Sequence, residues 1–197
     1  MRPTNEQRRA ELTDAAIDVV VHEGLHGLSH RAVDEAANVP RGTTSNYFRS
    51  RDALLEGTTR RLMELHFALM KGHVADRPDR HDLIASVSTV LELALNKYPG
   101  RYLAMLELAL ENARNPALEN GIAGVISEAM KHTYDIHGAD GQVAAEDVQL
   151  LSVFYNGLLF TWTVMPDVLA GRSPGELTRD ALEKLLSARS DHDDVDA

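Results

Sequence analysis

Cysteine is absent from all 197 residues, which excludes disulfides, a thiolate nucleophile and any cysteine-based zinc site. That absence is compatible with a reducing cytoplasm. The opening residues MRPTNEQRRAEL lack the apolar stretch of an export signal, so the expected location is cytoplasmic. No run approaches the ~20 apolar residues needed to cross a bilayer. The most apolar stretch, 150–165, is interrupted by Ser152, Asn156, Gly157 and Thr161 and reads as a buried helix. There is no internal repeat, no Ser-His-Asp arrangement, no metal motif and no phosphate loop. No catalytic residue, metal or cofactor is therefore expected. His22, His26 and His30 have a four-residue spacing that would suit a metal, but Gly24 and Gly27 interrupt the helix between them.

Net positive charge is also lacking. The balance is −10, which argues against a nucleic-acid partner until the chain is divided. Residues 1–61 hold nine Lys/Arg and nine Asp/Glu, whereas 62–197 hold eleven and twenty-one. DNA affinity depends on the charge that faces the phosphates, not on the total. Residues 41–51 carry Arg41, Arg49 and Arg51 and no acid. A composition of 44% hydrophobic and 25% charged residues is ordinary for a globular protein. The length accommodates one large domain or two small ones.

What is present is a helix, a corner and a second helix at 29–48, SHRAVDEAANVPRGTTSNYF. Ser29 is placed to cap a helix from about His30 to Ala37, with Ala32, Val33, Ala36 and Ala37 as its small apolar face. Asn38 ends it, being one of the few residues other than glycine that adopts a left-handed conformation. Pro40 suits the first position of the next helix. The segment that follows, Arg41-Gly42-Thr43-Thr44-Ser45-Asn46-Tyr47, is nearly all donors and hydroxyls. Such a helix contributes little to a core and suits the reading of a major groove.

At these residues the chain resembles the TetR family of transcriptional regulators (TetR/AcrR-like). The matching parts are Arg31 to Ala37 as second helix, Asn38-Val39-Pro40 as turn, Arg41 to Phe48 as recognition helix, and Ser50-Arg51-Asp52-Ala53-Leu54-Leu55 opening a fourth. The family's turn glycine is Asn38 here, its serine cap is Pro40, and the first aromatic of its Tyr-x-x-Phe pattern is Ser45. The resemblance implies an all-α fold of about nine helices. Residues 5–50 would form a three-helix DNA-binding module with its helix-turn-helix at about 29–48. Helix 4, 51–73, would be the connector, and 79–189 a ligand-binding and dimerisation domain. The acidic tail 190–197 is expected to be disordered.

Within the module, Arg41, Thr43, Thr44, Ser45 and Asn46 are the candidates for base contact. Arg can bridge guanine O6 and N7, Asn can pair with adenine, and Thr methyls can touch thymine methyls. Gly42 would either let the backbone approach DNA or ease helix packing. Tyr47 is a phosphate candidate through its hydroxyl, and Phe48 is assigned to the core. Arg51, in the first turn of helix 4, is placed to hold a phosphate. Ser29, His30 and Arg31 at the start of helix 2 complete the set, with solvated surface as the plain alternative for each.

Beyond a linker at Gly72 and 76–79, every segment has helical periodicity. Helices are expected over 83–95, from Arg101 to Asn115, over 118–130, over 146–164 and over 174–188. The 146–164 helix is apolar nearly all round, and with 174–188 it is the expected homodimer interface that the resemblance implies. Polar handles on these apolar helices (His66, Tyr102, Met105, Glu107, Tyr155, Asn156 and Trp162) are the candidate ligand contacts, ordinary packing being the alternative. The expectation is a homodimeric repressor released from a palindromic DNA operator by a small-molecule effector. A helical adaptor without DNA binding and an all-helical enzyme using Glu107 or a histidine as base are the competing readings.

Overall fold

Thr4 opens the first helix with a capping box, its hydroxyl accepting from the Gln7 N–H while the Gln7 side chain accepts from the Thr4 N–H. The computed structural model describes residues 3–73, 80–115, 131, 145–169 and 171–193. These form eight α-helices and no strand among the described residues: α1 Asn5–Gly27, α2 His30–Ala36, α3 Thr43–Tyr47, α4 Arg51–Lys71, α5 Arg80–Lys97, α6 Pro99–Arg114, α7 Ala145–Val164 and α8 Pro174–Asp193. A short 3-10 turn, Pro166–Leu169, follows α7. The all-α class is as expected. No helix among the described residues is long and apolar enough to cross a membrane.

The described residues pack as two units. The first holds α1, α2, α3, α4 as far as Phe67, and α6 from Gly100. Its core gathers Leu12, Ala16, Val20, Leu28, Val33, Phe48, Leu54, Leu55, Leu62, Ala104 and Leu108. Leu12, Ala16 and Val20 lie four residues apart, which is why one face of α1 goes inward. Arg61 of α4 grips Asp14 of α1 with two parallel bonds of 2.7 and 3.1 Å, a geometry only a guanidinium fork makes. Ser50 caps α4, its hydroxyl accepting from the Ala53 N–H at 3.1 Å.

The second unit holds the end of α4 from Ala68, then α5, α7, the 3-10 turn and α8. Val90, Leu91, Ala94, Leu95, Leu158, Leu159 and Leu182 are buried in it. The free N–H of Gly175, in the first turn of α8, donates to the Glu92 carboxylate of α5 at 2.6 Å. An acid at a helix start satisfies a donor that has no partner within the helix.

The packing units are not contiguous in sequence, since α6 joins the first. One expectation needs adjustment. The tail expected to be disordered from Ser190 is helical through Asp193, because no glycine or proline stops α8 after Ala188. The expected helix at 118–130, the linker residues 76–79 and the tail residues 194–197 lie outside the described residues.

Candidate nucleic-acid interface

The corner between α2 and α3 forms as its sequence dictates on one side and differently on the other. The Ser29 hydroxyl accepts from the Ala32 N–H at 3.1 Å, and Asn38 takes the left-handed conformation at φ 52°. The second helix, expected from Pro40, begins at Thr43. Residues Pro40 to Thr43 make a turn instead, closed by the Thr43 N–H on the Pro40 carbonyl at 3.1 Å. Gly42 sits at φ 89°, ψ −5°, the third position of a type II turn, which a side chain would strain. Arg41 and Gly42 therefore belong to the turn and not to the helix.

Entry into α3 is governed by Asp34, which the sequence reading passed over. Its side chain is buried, at 2% exposure. One carboxylate oxygen accepts from the Thr44 N–H at 2.7 Å and the Thr44 hydroxyl at 2.6 Å. The other accepts from the Gly42 N–H at 2.7 Å. Burial alone would raise the pKa of this carboxyl, but the Thr44 and Gly42 donors, helped by nearby His30, hold it below the ordinary aspartate value. Asp34 takes the inward position that the apolar reading gave to Ala36, which is exposed.

Exit from α3 is governed from α1 and α2. An Arg9 guanidinium N–H donates to the Tyr47 carbonyl at 3.0 Å, and the guanidinium carbon lies 4.6 Å from the centre of the Phe48 ring. His30 Nε2 donates to the Phe48 carbonyl at 2.7 Å, so that nitrogen carries the proton. Phe48 itself is core, as expected. Its ring lies against Gly57, where a Cβ would come within 2.5 Å of Cε1.

These contacts sort the candidate residues. Arg41, Gly42, Ser45 and Asn46 are exposed and Thr43 is half-buried. Thr44, expected at the reading surface, is 0% exposed with its hydroxyl committed to Asp34, so its side chain faces inward and the expectation is corrected. Arg41 is 76% exposed and Arg31 71% exposed, both beside the Glu35 carboxylate, at 3.8 and 2.9 Å. Ser29 remains exposed at its cap, and Tyr47 is half-buried against the core. Arg51, expected to face a phosphate, donates one N–H to the Leu25 carbonyl at 3.1 Å and lies 3.6 Å from Glu111, with its side chain 44% exposed. Helix α1 breaks at Gly24, φ 73° and ψ 175°, and this break offers the Leu25 carbonyl to Arg51 and the Leu25 N–H to Glu107.

The candidate ligand residues are drawn from both units. His66, Tyr102, Met105 and Glu107 belong to the first unit, and Tyr155, Asn156 and Trp162 to the second. Glu107 accepts from the Leu25 N–H at 2.6 Å, and Met105 packs on the first unit's core; both are half-buried. Asn156 is exposed and donates to the Ser152 carbonyl of its own helix. Tyr155 and Trp162 are half-buried. His66 Nδ1 and the Tyr102 hydroxyl lie 3.0 Å apart. Burial lowers the His66 pKa to about 4, leaving the ring neutral near pH 7. No cluster of metal-ligating side chains occurs among the described residues.

A left-handed corner joining two short helices, the second latched at both ends with polar side chains outward, defines a helix-turn-helix module on an all-helical chain. Residues 12–58 match the bacterial regulatory proteins of the tetR family, and 78–188 match the tetracyclin repressor-like C-terminal domain. The chain belongs to the TetR family of transcriptional regulators, a family of DNA-binding regulators and not of enzymes. The HTH-type transcriptional regulator BetI of Burkholderia cenocepacia (strain HI2424) is 36% identical over 83 residues, 42% of this chain and 43% of that protein. BetI of Burkholderia ambifaria (strain MC40-6) is 35% identical over the same length. The chain thus matches less than half the length of these curated relatives. Among solved structures, the TetR family member SCO1917 from Streptomyces coelicolor A3 has a TM-score of 0.73 and 26% identity, covering 91% of this chain and 98% of its own. The multidrug binding protein EbrR complexed with malachite green has a TM-score of 0.68 and 27% identity, with coverage of 91% and 98%.

Proposed function

We propose that the protein is a cytoplasmic homodimeric repressor that binds a palindromic operator and is released by a small-molecule effector. The observation that carries this reading is the outward set on the latched helix. Arg41, Thr43, Ser45 and Asn46 reach solvent from a backbone held at both ends, as a major-groove reader requires. One such helix reads few bases, so specificity asks for two heads about 34–36 Å apart on successive turns of DNA.

A dimer is supported by α7. Leu150, Val153, Phe160 and Val164 are 54%, 72%, 45% and 50% exposed, at spacings that align them along one side of the helix. The Gly157 surface between them is open, with nothing within 4 Å of a built Cβ. An apolar stripe of this kind calls for a cover, and two-fold pairing supplies an identical one. Over the part of α8 whose side chains are described, the exposed residues, including Glu176, Arg179, Asp180, Glu183 and Lys184, are polar, and α7 is therefore assigned the larger share of the pairing surface.

The effector reading takes its direction from the solved neighbours. EbrR is described in complexes with ethidium, proflavin and malachite green, which are aromatic cations. A largely apolar, aromatic effector is proposed here, with neutral His66 and the Tyr102 hydroxyl as its polar handles. Release needs only that the effector prefer the form whose DNA heads are wrongly spaced, and the loss of operator affinity cannot exceed that preference.

Selection of bound sites from random duplexes tests the operator, with enrichment of a palindrome expected. Malachite green titrated into the DNA-free protein tests the effector class through a shift in dye absorbance. Failure to enrich any sequence at moderate salt would overturn the operator reading, whatever the dye does.

A further inference from the structure

We propose that Arg9, on α1, is a positioning residue for operator reading: it fixes where α3 ends, so that Ser45 and Asn46 face outward in one register. The proposal rests on the operator-binding reading. Its premise is that α3 has only five residues. A helix this short forms too few internal bonds to persist by itself in water and leaves its last carbonyls without partners. Its geometry must therefore come from neighbours. Asp34 supplies the entry. At the exit, the Tyr47 carbonyl receives Arg9 and the Phe48 carbonyl receives His30, at 3.0 and 2.7 Å.

Arg9 does two things at once that no other residue type combines. One of its N–H groups donates to the Tyr47 carbonyl, while its guanidinium carbon lies 4.6 Å from the centre of the Phe48 ring. The ring is 1% exposed and cannot move away. A lysine ammonium could reach the carbonyl but would offer no flat face to the ring. The contact spans 38 residues of sequence and refers the end of the recognition helix to the first turns of α1. Arg9 is itself exposed, but one of its N–H groups is committed to the Tyr47 carbonyl, whereas Arg41, its side chain 76% exposed, lies 3.8 Å from Glu35.

The salt dependence of binding separates positioning from phosphate contact. Operator affinity would be measured over a range of salt concentrations for the wild type and for Arg9→Lys, Arg9→Met and Arg41→Ala. Amide hydrogen exchange would be followed in the DNA-free proteins. Both Arg9 variants are expected to weaken operator binding tenfold or more, with the slope of log affinity on log salt unchanged. Exchange at Thr44 to Phe48 should accelerate tenfold or more while α7 stays as in the wild type. Arg41→Ala serves as the opposite control, expected to reduce the slope by about 0.9 if it neutralises one phosphate. Retained affinity in Arg9→Lys, or a reduced slope in Arg9→Met with unchanged exchange, would overturn the proposal in favour of a phosphate contact. Exchange that rises equally through α1, α2 and α4 would also overturn it, because Arg9 would then be a general stabiliser. If the wild type selects no operator, the functional reading fails separately, and the exchange measurement still decides whether Arg9 holds α3.

Discussion

Replacing Asp34 with alanine removes one acceptor group and strands three donors at once. Two of them, the N–H and the hydroxyl of Thr44, belong to a residue with 0% exposure and have no water to turn to. The third, the Gly42 N–H, belongs to an exposed turn and can be solvated. Each buried donor left without a partner costs about 1–3 kcal/mol, so Asp34→Ala should destabilise the first unit by roughly 3–4 kcal/mol. Urea unfolding followed by far-ultraviolet circular dichroism measures this as a lower midpoint at unchanged slope. Adding Thr44→Val to Asp34→Ala removes the stranded hydroxyl and should recover about 1–2 kcal/mol. Because the folded-state pKa of Asp34 is lowered, its contribution is fully present above the unfolded value and is lost as pH falls through the folded value. Asp34→Ala should therefore flatten the acid limb of the stability curve below about pH 4. A cost under ~1 kcal/mol, or a double variant whose losses simply add, would refute the claim that Asp34 satisfies buried donors.

Three further outcomes are expected. His66 has a folded pKa of about 4 against an unfolded value near 6.5, so the unfolded chain binds the proton first as pH falls. Stability should drop on the order of 2 kcal/mol between pH 6.5 and 5, and the drop should vanish in His66→Phe, as followed by thermal melts across pH. Gly57→Ala would bring a Cβ within 2.5 Å of the buried Phe48 ring and should cost about 1–3 kcal/mol; a melting temperature equal to wild type would show that the ring has room. Val153→Glu puts a charge on the exposed α7 stripe and should convert a dimer to a monomer in sedimentation velocity without lowering monomer helicity, whereas an unchanged sedimentation coefficient would move the interface elsewhere.

Much of the architecture was legible because it follows from local rules. Thr4 and Ser50 cap where their spacing requires, Asn38 turns left-handed at the corner, and the apolar stripe of α1 is buried. The misreadings arose where a side chain serves a distant backbone. An aspartate in a short helix reads as solvent-facing, and no periodicity reveals that its partners lie eight and ten residues ahead. Once Asp34 turned inward, Thr44 had to follow. The Arg51 bond to the Leu25 carbonyl 26 residues earlier, made possible because α1 breaks at Gly24, is likewise invisible to local pattern. The start of α3 was misplaced because Pro40 is a good first helical residue and Gly42 a better turn residue. The positive φ at Gly42 decided between them.

The latches that hold α3 have a consequence for how such a protein changes over time. Among the described hydrogen bonds, the side chains of Thr43 and Ser45 reach only the Pro40 and Gly42 carbonyls of the preceding turn, and none is described for the side chain of Asn46. The positions that would read bases are thus separate from those that keep the helix in place: Asp34, Thr44, Phe48, Arg9 and His30. Randomising 43, 45 and 46 together should yield a library in which most members fold and differ chiefly in the sequence they prefer. A duplicated copy could acquire a new operator through those three codons while its scaffold stayed under the old constraints.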